Sequence, residues 1–131
     1  LLELGSTKAW LVHGSDGTDE ISICGSTSVV SLDNGEISEF DLHPSDAGLS
    51  IHPFKTIKGG KPEENAKAFN NLLNGEKSAY RDAVLLNAAA AFVIAGRAKD
   101  LKEGVKIGQE SIDSKNALNK IMELARITET K

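Results

Sequence analysis

Residues 12–22 read VHGSDGTDEIS and place three acids, two glycines and a histidine between an apolar run and an alternating one. Asp16, Asp19 and Glu20 follow the end of a strand-like stretch, where open α/β sheets commonly put their ligand sites. Carboxylates in a glycine-containing loop are suited to magnesium, a hard ion that takes one or two of them and completes its shell with water and substrate phosphates. The plainer reading of the same residues is a turn at Asp16-Gly17, with Asp19 and Glu20 as solvated acids leading into a strand. Spacing alone leaves both readings open.

Other residues offer less. His13 could donate to a phosphate or act as a base, but a lone histidine at a strand end more often has a structural role, and no partner is visible in the sequence. Gly59-Gly60-Lys61-Pro62 precedes a helix whose free N–H groups attract anions. It lacks P-loop spacing, which favours a tight turn into that helix. Asn87 lies in an otherwise apolar stretch and is expected to satisfy a neighbouring backbone group, because an unpaired buried amide is costly. There is no Ser/His/Asp order, no metal-spaced histidine pair and no aromatic stacking platform.

The elements that must position these residues change character near residue 60. Ala9-Trp10-Leu11-Val12 is a continuous apolar run, as expected of a strand covered on both faces. Ile21 and Ile23 alternate with polar residues and read as a further strand. Residues 28–32 and 37–42 flank Asp33-Asn34-Gly35, which predicts a hairpin. Residues 43–58 read mostly as loop. Four helices follow. The first starts at Pro62, repeats Ala66, Phe69 and Leu73 on one face, and stops at Gly75. The second, about 81–95 and stopped at Gly96, is apolar nearly all round and should be central and the least exposed element. Asp100 and Glu103 form a capping box for a third helix carrying Leu101, Val105 and Ile112. Ser114 is placed to cap the fourth, which presents Leu118, Ile121 and Ala125. The fold class is therefore α/β, with N-terminal strands and a hairpin followed by helices.

Length and composition set the frame. The 131 residues suffice for one domain, and 40% hydrophobic with 26% charged residues is ordinary for a soluble globular protein. A net charge of −4 and a pI near 5.4 argue against a dedicated nucleic-acid surface. One cysteine, Cys24, permits no internal disulfide and suits a reducing cytoplasm, where it reads as a small buried apolar residue. No run reaches the roughly 18 apolar residues that span a bilayer, so no membrane association is expected. Leu1-Leu2-Glu3-Leu4-Gly5 reads as the last turn of a helix with Gly5 as its left-handed stop, which suggests a start inside a larger protein.

The ordered set of motifs resembles the anthranilate phosphoribosyltransferases of the nucleoside phosphorylase and phosphoribosyltransferase superfamily. Residues 10–22 are similar to that family's VHG-x-DGxDE segment. The likeness continues through Gly35-Glu36-Ile37, the Pro44 loop, Gly59-Gly60 with Glu64-Asn65-Ala66, residues 81–90 (RDAVLLNAAA), Glu103-Gly104-Val105 and Ile112-Asp113-Ser114. The resemblance implies a tryptophan-biosynthetic transferase in which the anthranilate amine displaces pyrophosphate from C1 of phosphoribosyl pyrophosphate. It implies that Asp19 and Glu20 are the Mg2+ ligands. Adjacent carboxylates on extended backbone would point to opposite sides, so irregular backbone is expected there.

Thr18 stands where leucine is common in the family, and Gly25 interrupts a run often rich in threonine; neither removes a ligand. The family's N-terminal helical domain, GTGGD phosphate loop and anthranilate contacts are absent from residues 1–131, which correspond to the C-terminal part of the α/β domain. The family's homodimer is expected through that helical domain, and these residues alone are expected to be inactive. The rival readings are a pyrimidine nucleoside phosphorylase relative, which the Asp16-Gly17-Thr18-Asp19-Glu20 signature disfavours, and a non-catalytic nucleic-acid-binding relative, which the acidic pI disfavours.

Overall fold

The computed structural model describes residues 1–129. Three strands, β1 (Lys8–Gly14), β2 (Thr27–Asp33) and β3 (Glu36–Leu42), form an antiparallel sheet in that order. Four helices follow: α1 (Pro62–Leu73), α2 (Ala79–Ile94), α3 (Leu101–Asp113) and α4 (Asn116–Glu129). Short 3-10 turns occupy Leu2–Leu4, Pro44–Ala47 and Phe54–Thr56. Among the described residues no helix is long and apolar enough to cross a membrane.

The β2–β3 hairpin forms where Asn34-Gly35 predicts it, with Asp33 paired to Glu36. Both turn residues have positive φ, 49° at Asn34 and 93° at Gly35, the combination that a tight two-residue turn requires. Gly5 closes the first 3-10 turn in the left-handed region, as read from the sequence.

Two strand expectations fail. β1 is not covered on both faces: it is an edge strand, antiparallel to β2, and Leu11 is 55% exposed. An apolar run reports hydrophobicity on both faces but not whether something covers them. Residues 21–23 form no strand either. Ile21 and Ile23 are both buried, but their backbone is irregular and each is held by contacts outside a ladder. Alternation there reflects two side chains entering one core.

That core lies between the sheet and α2, and gathers Ile21, Ile23, Val29, Leu42, Leu86, Ala89 and Val105. A second cluster joins Leu72, Leu73, Leu85 and Ile112. Helix α2 serves both through successive residues, Leu85 on one side and Leu86 on the other, so it is central as its composition predicts. Helix α3 crosses it closely at Gly104, where an added Cβ would lie 2.7 Å from the Ala89 Cα and 2.9 Å from its carbonyl oxygen.

The helix ends follow the sequence with two exceptions. Asp100 accepts from the Glu103 amide at 2.8 Å, but Glu103 returns its bond to the Lys99 amide rather than to that of Asp100. Ser114 does not cap α4: it closes α3, and its hydroxyl faces the Ser111 carbonyl. Lys115 intervenes with φ 67°, reversing the chain before α4 starts at Asn116.

Arg81, buried at the start of α2, ties three helices together. Its Nη1 donates to the Gly75 carbonyl just beyond α1, and its Nη2 lies 2.8 Å from Asp113 at the end of α3. The Nη2 contact is an ion pair rather than an aligned hydrogen bond. Arg81 holds the Asp113 carboxyl below its ordinary value, through this contact first.

Candidate metal centre

The loop after β1 is closed by its own side chains. Asp16 Oδ1 accepts from the Thr18 hydroxyl at 2.7 Å and from the Thr18 amide at 3.2 Å, and Oδ2 accepts from the Ser22 hydroxyl at 2.7 Å. Residues 16–22 therefore form a ring pinned at both ends, with Asp19 and Glu20 at its exposed crest. The Gly14 amide donates to the Thr18 carbonyl at 2.9 Å. A Cβ at Gly14 would lie 2.5 Å from the Thr18 hydroxyl and 2.6 Å from Asp16 Oδ1, so only glycine lets the loop fold back this far.

Burial alone would raise the Asp16 pKa, but the Ser22 and Thr18 hydroxyls and the Thr18 amide outweigh it and hold the carboxyl below its usual range. Cys24 moves the other way: burial raises its thiol, and the negative charge of Asp16 adds to the effect. It is a free, partly buried thiol, close to the small apolar residue expected.

A second set of bonds fixes the loop to α2. The Ile21 amide donates to Asn87 Oδ1 at 3.0 Å, while Asn87 Nδ2 donates to the Ile21 carbonyl at 2.9 Å and to the Ala83 carbonyl at 3.0 Å. Asn87 is thus satisfied by backbone, as its position in an apolar helix requires. Downstream, the Ser22 amide donates to the Thr27 hydroxyl at 2.9 Å, and the His52 amide donates to the Ile23 carbonyl at 3.0 Å. His52 is itself 2.8 Å from Asp82 on α2.

The three acids therefore separate into two kinds. Asp16 is engaged with its own loop, whereas Asp19 and Glu20 are exposed, neighbouring and on irregular backbone, as expected. Neither takes part in an ion pair among the described residues. No group of three or more His, Cys, Asp or Glu side chains is arranged to enclose a metal among the described residues. Two free carboxylates nevertheless fit magnesium, which needs only one or two from the protein when substrate oxygens supply the rest.

His13 is exposed on β1 opposite Ser28. At Gly59-Gly60 the first turn of α1 is filled internally: the Gly60 amide donates to Asn65, and the Lys61 amide donates to Glu64, both at 2.8 Å. This is a tight turn rather than an anion seat. A cavity of about 320 Å3 lies beside it, lined by residues including Ile57, Gly59, Asn65 and Tyr80. Sequence reading missed that cavity and the roles of Ser22 and Thr27. Asp16-x-Thr18 is a recognisable turn signal, but nothing in the spacing reveals a hydroxyl partner five residues away or an amide 66 residues away.

Residues 1–118 match the glycosyl transferase family, a/b domain. The chain belongs to this family. Among its relatives, it is 52% identical over 128 residues to an anthranilate phosphoribosyltransferase of Bradyrhizobium diazoefficiens, covering 98% of this chain and 38% of that protein. The crystal structure of the anthranilate phosphoribosyltransferase from Thermus thermophilus superposes with a TM-score of 0.79 at 40% identity, over 89% of this chain and 34% of that one. The Saccharomyces cerevisiae enzyme in complex with PRPP and Mg superposes with a TM-score of 0.78 at 31% identity, over 86% of this chain and 32% of that one. The family member described here thus spans about a third of the length of the proteins it resembles.

Proposed function

We propose that residues 1–131 are the C-terminal part of the α/β domain of an anthranilate phosphoribosyltransferase, and that Asp19 and Glu20 hold Mg2+ for the diphosphate of its substrate. The observation that carries this reading is the pair itself. Two adjacent, unpaired carboxylates crest a loop whose remaining polar groups are used to hold it still. The likeness to a transferase described with PRPP and Mg supports it.

In the proposed reaction the nitrogen of anthranilate forms a bond to C1 of the ribose as the bond from C1 to the diphosphate oxygen breaks, pyrophosphate departs with the electron pair, and the nitrogen gives up one proton to solvent. Bound magnesium neutralises part of the charge on that leaving group. This chain's contribution is positional. Asp19 and Glu20 supply the anionic ligands, and the Asp16 ring and Asn87 keep their backbone in place, so little reorganisation is needed when charge develops.

No GTGGD sequence occurs in residues 1–131. The phosphate-gripping loop, the anthranilate contacts and the dimerising helical domain belong, in this reading, to the part of the relatives that the chain does not span. Turnover therefore requires a protein containing that part, and residues 1–131 alone are silent because half a site does not fix its substrates together. The reading places the enzyme in tryptophan biosynthesis in the cytoplasm, a reducing setting that suits free Cys24.

The test is an assay of a full-length protein containing this chain. Anthranilate with phosphoribosyl pyrophosphate should release pyrophosphate in a magnesium-dependent reaction. Turnover of a pyrimidine nucleoside with phosphate instead, or no turnover together with salt-dependent DNA binding, would replace the reading with one of its rivals.

A further inference from the structure

Asn87 makes two hydrogen bonds to a single residue across 66 positions of sequence, and that residue, Ile21, directly follows Glu20. From the geometry we infer that Asn87 is a positioning residue for the metal ligands: it sets the affinity of the loop for a divalent cation rather than simply satisfying a core amide. The inference rests on the reading that Asp19 and Glu20 are those ligands.

The argument begins with the peptide plane. The Ile21 amide belongs to the same rigid unit as the Glu20 carbonyl, so holding that N–H at 3.0 Å fixes the plane in which Glu20 ends. The second bond, from Asn87 Nδ2 to the Ile21 carbonyl at 2.9 Å, removes rotation about the first. The third, to the Ala83 carbonyl at 3.0 Å, fixes the Asn87 side chain against its own helix. Ile21 contributes its buried side chain as a further anchor. Upstream the Asp16–Ser22 bond closes the ring, but it leaves residues 19–21 free to bow between its ends. From outside the ring, the Gly14 amide holds the Thr18 carbonyl that precedes Asp19, and the Asn87 side chain holds the backbone that follows Glu20. Any loss of order there must be repaid when a cation draws both acids together.

The test uses Mn2+ as a paramagnetic probe on the full chain, reading the broadening of the Asp19 and Glu20 amide resonances during titration. Asn87→Ala should raise the Mn2+ concentration for half-maximal broadening by about tenfold or more, the usual effect of removing an outer support of a metal site. Hydrogen exchange at the Ile21 amide should accelerate in the same variant. Leu85→Ala removes packing in the second apolar cluster without touching residues 19–21, and should lower stability while leaving the Mn2+ response as in the unmodified chain. If Asn87→Ala does not fold, Asn87→Ser, which shortens the side chain beyond reach of Ile21 but can still bond to Ala83, takes its place with the same expectation. Asp19→Asn with Glu20→Gln tests the ligand reading itself: undiminished broadening there would overturn that reading. Lost broadening in that pair, with an unchanged Mn2+ response in the Asn87 variants, would overturn this inference alone.

Discussion

At the scale of single residues, the loop after β1 engages one of its acids and leaves two exposed, and the engagement has a pH signature. Asp16 is held below its ordinary value of 3.8. A carboxylate depressed in the folded state contributes stability that is complete well above its unfolded value and fades as pH falls through the folded one. Asp16→Ala should therefore be less stable than the unmodified chain at neutral pH, with the gap closing as pH falls below about 4. Denaturant midpoints at a series of pH values measure this, and a gap that stayed constant down to about pH 2 would mean that the Asp16 hydrogen bonds do not depend on its charge. The sequence showed the acids and their glycines but not which acid was engaged. Asp16 turns inward because Ser22 and Thr18 reach it, and Ser22 reaches it because Ile21 and Ile23 are drawn into the core on either side.

Among the elements, local chemistry was legible wherever a short rule decides the outcome. Asn34-Gly35 specified the hairpin, and Pro62, Gly75 and Gly96 marked helix limits close to those observed. Legibility ended where partners are distant in sequence. The open face of β1 could not be told from a covered one, residues 21–23 are buried between the sheet and α2, and Lys115 rather than Ser114 governs the turn into α4. The packing of α2 on α3 likewise depends on one position whose role only the fold reveals. Gly104 has no room for a side chain against the Ala89 backbone, so Gly104→Ala must push the two helices apart and should cost about 1–3 kcal/mol. Urea unfolding reads this directly, and an unchanged midpoint would show that the helices separate freely.

For the molecule as a whole, the sheet packs one face on α2 and leaves Leu11, Val30 and Ile37 exposed on the other. Leu11, Val30, Leu32 and Ile37 form a shallow hollow there with the first four residues. Apolar surface beside an unpaired strand edge favours self-association, so the 131-residue chain should sediment as a concentration-dependent mixture. Leu11→Lys with Ile37→Lys should return it to a monomer; identical sedimentation before and after would place the association elsewhere. In the proposed reading, these residues supply the acids of a site without the loop that would grip pyrophosphate. The central claim concerns those acids, and its most direct test is turnover against magnesium concentration in a full-length protein containing this chain, with Asp19 and Glu20 both changed to alanine. The account predicts a loss of roughly two to three orders of magnitude in turnover, comparable to removing one preorganised electrostatic element, together with a weakened magnesium dependence. Normal turnover with a normal magnesium response would contradict it.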